Sequence, residues 1–146
     1  MDYSQVHTLL VAIRDAAGSC LKTKGVPFCA YIWAGGDSPI SCDNGLSISV
    51  MVDTSAKGTK CDFVEGLEIT IAVDQCGGNV ETAEEADEFS CHFYEKLVMV
   101  SNGLFDWLGT YQGLPCTSIQ VEGFRYSRTS EEGCVRYISR WKMNTQ

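Results

Sequence analysis

The chain has few basic residues and no long apolar run. Its 11 Lys and Arg stand against 19 Asp and Glu, which gives a net charge of −8 at pH 7. Since affinity for phosphate backbones depends on clustered cations, neither general nor sequence-specific nucleic-acid binding is expected. No apolar run approaches the ~20 residues of a membrane-spanning helix, and the first residues carry an acid where a signal peptide carries basic residues. We therefore expect no membrane insertion and no signal peptide.

Motifs for metals, phosphates and cofactors are also missing. The chain has 2 histidines and 8 cysteines, and no C-x-x-C pair occurs, whereas zinc ligands usually come in pairs two to four residues apart. The glycine pairs at 35–36 and 77–78 belong to no phosphate-binding or dinucleotide-binding pattern. The acidic turn at 43–45 lacks the later ligands of a calcium loop. We predict no metal and no cofactor.

Length and composition indicate one globular domain. A chain of 146 residues has the usual size of a single domain and can fold without metals or disulfides. Hydrophobic residues make up 45% and charged residues 21%, which is ordinary for globular proteins. We predict a single domain over residues 1–146.

Hydrophobic periodicity predicts a first helix and five strands. Apolar residues recur every three or four positions over 4–22, with Ser4 as the expected N-cap and Gly25 as a stop signal. Alternating or apolar runs predict the strands, which fall at 27–34, 46–52, 67–73, 117–126 and 134–143.

The second predicted helix, over 83–109, has the strongest signals. Thr82 and Glu85 fit a capping box, and acidic residues fill the first turns, where the helix dipole favours them. An apolar stripe runs from Phe89 to Leu108, whereas Cys91 lies off it. Gly103 weakens the far end of the prediction.

The predicted order α-β-β-β-α-β-β favours an α+β fold. We expect a mainly antiparallel sheet of four to five strands with two helices packed on one face. Apolar residues of both helices and two strands should share one core: Leu10, Ile13, Ile48, Ile69, Ile71, Phe89, Phe93, Val100 and Leu104.

No local pattern predicts catalysis. Cys91 and His92 are neighbours on a helix, so their side chains point about 100° apart and do not converge on one atom. The acids at 81–88 are explained by the helix dipole. A catalytic Cys–His pair assembled from distant residues, with His7 or His92 as base, is an open alternative. We nevertheless predict that the chain is not an enzyme and has no catalytic residues.

The final hairpin predicts a contact surface. Residues 1–115 hold 6 basic and 16 acidic side chains, a net of −10, whereas residues 116–146 hold 5 and 3, a net of +2. Arginines and aromatics interleave in the basic part, as in single-stranded nucleic-acid sites or protein interfaces. The net charge favours a subunit interface, for which we predict these residues: Arg125, Arg128, Arg136, Arg140 and Trp141.

The cysteines predict a disulfide. Five of them lie off an apolar stripe or in or beside expected loops: Cys42, Cys61, Cys76, Cys91 and Cys134. We predict that at least one forms a disulfide, between chains rather than within one, because the chain needs no internal crosslink at this size. The alternative is that all 8 are reduced and pack as small apolar side chains.

The element order resembles that of the tail-terminator, or tail-completion, proteins of tailed bacteriophages. The resemblance covers nearly the whole chain: an amphipathic helix at 6–21, a strand and glycine turn at 28–36, alternating strands, a long helix at 83–108 and a closing hairpin with Arg136 to Trp141. The resemblance lies in the order of the elements and in their apolar and polar patterns, and it includes no signature peptide.

The resemblance implies a structural virion protein. It would form a homo-oligomeric ring, a hexamer, that caps the tail tube and joins the tail to the neck. Its partners would be further copies of itself, tail tube or sheath proteins and neck or connector proteins, and it would assemble in the host cytoplasm. The alternatives are another neck, head-completion or connector protein, or a small Cys-dependent enzyme or ligand-binding domain.

Overall fold

A computed structural model of the chain describes residues 3–34, 45–54, 66–75, 80–110, 116–128 and 135–145. The predicted order α-β-β-β-α-β-β is confirmed. The helices are α1 (Tyr3–Thr23) and α2 (Ala83–Thr110), and the strands are β1 (Phe28–Ile32), β2 (Leu46–Thr54), β3 (Gly66–Gln75), β4 (Cys116–Arg128) and β5 (Val135–Thr145).

All five strands form one sheet in the order β1-β2-β3-β5-β4. The β1–β2 pair is parallel, and the β2–β3, β3–β5 and β4–β5 pairs are antiparallel. The predicted α+β class with a mainly antiparallel sheet is therefore confirmed. β5 returns between β3 and β4, which leaves β1 and β4 at the two edges.

α1 ends at Gly25, as the sequence predicts. Gly25 has a φ of 70°, a left-handed conformation that glycine adopts at little cost. The N–H of Val26 donates to the carbonyl of Leu21 at 2.9 Å, and the N–H of Gly25 donates to that of Lys22 at 3.2 Å, which is the Schellman arrangement. The prediction of Ser4 as N-cap was wrong, because the helix already begins at Tyr3.

The start of α2 follows the predicted capping box in part. The N–H of Glu85 donates to Thr82 Oγ1 at 3.2 Å. The Glu85 carboxylate accepts from the N–H of Glu81 at 3.1 Å, rather than from that of Thr82, as the standard box would have it. The backbone N–H of Glu81, just before the helix, gains a hydrogen-bond acceptor in this way.

Gly103 lies where the two helices touch. A Cβ built on it would clash with the backbone carbonyl oxygen of Ala16 and lie 2.8 Å from Ser19 Oγ. The absent side chain lets α1 and α2 approach closely, and α2 continues unbroken to Thr110. The sequence signal at Gly103 therefore marks helix packing and not an early helix end.

Both helices share one core with the sheet. Ile48, Val50, Ile69 and Ile71 are fully buried, and they cluster with α1 residues such as Ile13 and with α2 residues such as Val100 and Leu104. Of the nine predicted core residues only Phe89 was wrong, because it is partly exposed, whereas Phe93, one turn later, is buried.

In the part of the chain that the structure describes, neither α1 nor α2 is both long enough and apolar enough to cross a membrane.

Candidate interaction surface

The outer side of α2 carries exposed apolar residues along one line. Tyr94, Val98 and Phe105 are 50%, 57% and 54% exposed. At about 100° per residue they fall within an arc of about 40° on the helix. Cys91, Ser101 and Leu108 extend the same line, so that the six residues follow alternating spacings of three and four. We call these six residues the outer stripe.

The three-and-four spacing is that of a helix seam built to pack against another helix. The outer stripe is separate from the buried side of α2 except at its end, because Phe93, Leu97, Val100 and Leu104 lie about 100° further round the helix, against α1 and the sheet. Leu108 is partly buried, and it also packs against the core. One helix thus has two apolar sides, of which only one is covered within the described part of the chain.

A cavity opens beside the N-terminal half of the outer stripe. It has a volume of about 210 Å³ and lies between α2 and the start of β5. Its lining is mainly aromatic and apolar: Phe89, Ser90, Phe93, Tyr94, Val135 and Tyr137.

Three aromatic rings hold the cavity wall in place. The ring of Tyr137 lies 5.7 Å from that of Phe93 and 6.0 Å from that of Tyr94, the latter edge to face. Both distances and the perpendicular arrangement are favourable for aromatic pairs. The wall is therefore formed by packed rings from α2 and β5, with Tyr94 at its exposed rim.

Cys91 and His92 make only weak surface contacts. The Cys91 thiol lies 3.7 Å from Glu95 Oε1 as a donor. His92 lies 3.8 Å from both Glu88 and Glu95 through its two ring nitrogens, and all these side chains are exposed. Among the described residues, no three His, Cys, Asp or Glu side chains are grouped so that they could hold a metal ion.

The predicted interface arginines differ in their surroundings. Arg136 is committed to an internal ion pair: its Nε lies 2.6 Å and its Nη2 3.3 Å from the two Asp74 carboxylate oxygens, and the side chains are only 16% and 10% exposed. Arg140 is exposed on the same strand. The side chains of Arg125 and Arg128 are outside the described residues, although both positions lie on the edge strand β4.

Trp141 is a core residue and not a surface residue. It is 1% exposed, its Nε1–H donates to Ser139 Oγ at 2.8 Å, and its ring stacks on Trp107 at 6.2 Å. Its alternation with Arg140 explains this placement, because adjacent strand residues point to opposite faces. The prediction of Trp141 at a subunit interface is therefore corrected.

The cysteines divide by location. Cys91 is exposed and its thiol is free, whereas Cys20 is partly buried and also free. Cys42, Cys61, Cys76 and Cys134 lie outside the described residues. Cys29 on β1, which the sequence analysis did not single out, is disulfide-bonded.

The outer stripe could have been found in the sequence. Tyr94, Val98 and Phe105 follow spacings of four and seven, but the stronger stripe from Phe89 to Leu108 obscured them. The cavity could not have been found, because it depends on Tyr137 of β5 facing α2. No family model matches this chain, and no curated protein matches it in sequence.

Proposed function

We propose that this chain is a structural virion subunit of the tail-terminator kind. It forms a closed homo-oligomeric ring, six-fold in symmetry, that caps the tail tube and joins the tail to the neck of a tailed bacteriophage. In this role the chain works by assembly and not by catalysis, and it acts in the virion after assembly in the host cytoplasm.

The position of the basic hairpin in the sheet is the observation that carries the proposal. β4 is the edge strand of the β4–β5 hairpin, and it pairs with β5 alone among the described strands. An edge strand offers unpaired backbone groups to a neighbouring chain. The hairpin belongs to the basic part of the chain, with a net charge of +2, against −10 for residues 1–115.

A head-to-tail contact between this basic edge and the acidic body of the next copy is heterologous. Heterologous contacts close into rings when the rotation between subunits permits it. A ring also suits a terminator, because a tube that grows by adding rings is stopped by a ring of matching symmetry. The element order and the packing of both helices on one face accord with the same resemblance.

The native mass of the purified chain tests the proposal. Six copies are expected by native mass spectrometry, and the ring should bind to one end of isolated tail tubes in electron micrographs. A chain that is monomeric at all concentrations, and that does not bind tubes, would refute it.

Charge reversal tests the surface itself. Arg140→Glu should weaken the ring more at low salt than at high salt, because exposed charges are screened. Arg136 is unsuitable for this test, since its reversal would also break the internal pair with Asp74. Lys24→Glu, an exposed charge at the end of α1, is the matched control and should leave the assembly intact.

A further inference from the structure

We propose that α2 pairs with α2 of a second copy, antiparallel and about a two-fold axis, and that Phe105 of each copy enters the aromatic-lined cavity of the other. The inference goes beyond the ring proposed above, because a two-fold contact uses the same patch on both copies and does not close a ring of six.

The outer stripe is self-complementary when reversed. If the two-fold axis crosses α2 midway between Val98 and Ser101, each of these residues faces the other in the second copy. The same operation places Tyr94 opposite Phe105, and Cys91 opposite Leu108. All six stripe residues therefore find a stripe residue as partner. An in-register parallel pair also pairs all six, and the charges of α2 and the position of the cavity decide between the two directions.

The cavity and Phe105 fit each other. Phe105 is 54% exposed and lies eleven residues, or about 16 Å, along α2 from Tyr94 at the cavity rim. It is thus too far away to fill the cavity of its own chain. The antiparallel arrangement brings it level with Tyr94 of the second copy, where the volume of about 210 Å³ accommodates an aromatic ring. Two such insertions form, one on each side of the axis.

The charges of α2 favour the antiparallel direction. Five of its six acids lie at or before Glu95, and only Asp106 lies in the C-terminal part. A parallel pair would place the two acidic halves side by side, whereas the antiparallel pair places each acidic half against a nearly uncharged one. The helix dipoles are also opposed in the antiparallel pair, which is favourable.

The size of the contact sets the expected strength. The outer stripe extends over about 26 Å of a single helix. A contact between two such stripes buries less surface than the ~1,600 Å² of a standard stable interface. The pair should therefore form at micromolar or higher concentrations, and sedimentation of the full chain over about 1–200 μM covers this range.

Phe105→Ala is the decisive variant. It should raise the dissociation constant of the two-chain species about tenfold or more, as expected for a central aromatic anchor. His92→Ala, an exposed change on the other side of α2, is the matched control and should shift it less than about twofold. Because Phe105 is exposed in the single chain, its variant should keep the thermal midpoint of the monomer, which separates lost pairing from lost folding.

A crosslink tests the direction. Leu108→Cys should form a disulfide with Cys91 of the second copy under mild oxidation, identified by peptide mass mapping, and the Leu108→Cys, Cys91→Ser double variant should lose it. In the antiparallel pair the two native Cys91 residues are about 25 Å apart and do not crosslink. A Cys91–Cys91 crosslink in the wild-type chain would overturn the antiparallel arrangement.

The oligomeric states separate this inference from the ring. A six-membered species that Phe105→Ala leaves unchanged would support the ring. If such rings also do not associate in pairs, the α2 contact would be overturned. A two-membered species that Phe105→Ala dissociates would support the α2 contact and count against the ring. A wild-type chain that stays monomeric up to 200 μM would overturn both.

Discussion

Gly103→Ala should destabilise the protein, although alanine is the better helix former. In an exposed helix the substitution would stabilise by about 1 kcal/mol. At Gly103 the added methyl would come closer than 3.0 Å to the backbone carbonyl oxygen of Ala16 and to Ser19 Oγ. Ser19 could rotate, but the Ala16 carbonyl belongs to α1 and moves only if the whole helix moves.

The cost follows from that movement. α1 and α2 must separate by several tenths of an ångström, which loosens the packing of buried residues such as Ile13 and Val100 on either side of the contact. Overpacking of this kind costs about 1–3 kcal/mol and more where backbone is involved. After the gain of about 1 kcal/mol in helix propensity, we expect a net loss of up to about 2 kcal/mol, or roughly up to 6 °C in Tm for a domain of this size.

Gly109→Ala is the matched control in the same helix. Nothing lies within 4 Å of a Cβ built there, so the substitution should be neutral or stabilise by up to about 1 kcal/mol. Urea unfolding followed by circular dichroism measures both variants, and unchanged slopes would show that both states keep their compactness. A Gly103→Ala protein as stable as Gly109→Ala would refute the close approach of the two helices.

Three further predictions concern the core, the ion pair and the thiols. Phe93→Ala should cost about 3–5 kcal/mol, because Phe93 is buried, whereas Phe105→Ala should cost less than about 1 kcal/mol in urea unfolding of the monomer. Asp74→Ala should cost about 3 kcal/mol, because it removes the carboxylate to which Nε and Nη2 of the largely buried Arg136 donate; a cost near zero in thermal unfolding would show that the pair is dispensable. Non-reducing electrophoresis should show linked chains that persist in Cys91→Ser and disappear with reductant, and full alkylation of all 8 thiols at monomer mass would contradict this.

The helices and strands themselves were predictable from local pattern. The three-and-four spacing in α1 and α2 and the alternation in β2 and β3 are set by the geometry of each element, which requires no knowledge of its neighbours. The end of α1 was equally local, because the left-handed turn after a helix selects glycine at position 25. These signals also sufficed for the α+β class, since the order of elements limits how they can pack.

For residues that could play two roles, only tertiary contacts decided which role they play. Gly103 could have ended a helix or admitted a neighbour, and only the position of Ala16 shows which. Arg136 could have served a surface, but its register opposite Asp74 on β3 commits it to an ion pair within the chain.

The sequence by itself determined which residues form each helix and strand and that α2 is apolar over much of its circumference. Local backbone geometry is enough for that, because side-chain periodicity follows from helix and strand dimensions. Tertiary structure decided which apolar side of α2 is covered, and that β5 lies between β3 and β4, where Tyr137 contributes to the aromatic-lined cavity. Those outcomes depend on contacts between residues far apart in the chain, and local periodicity carries no information about them.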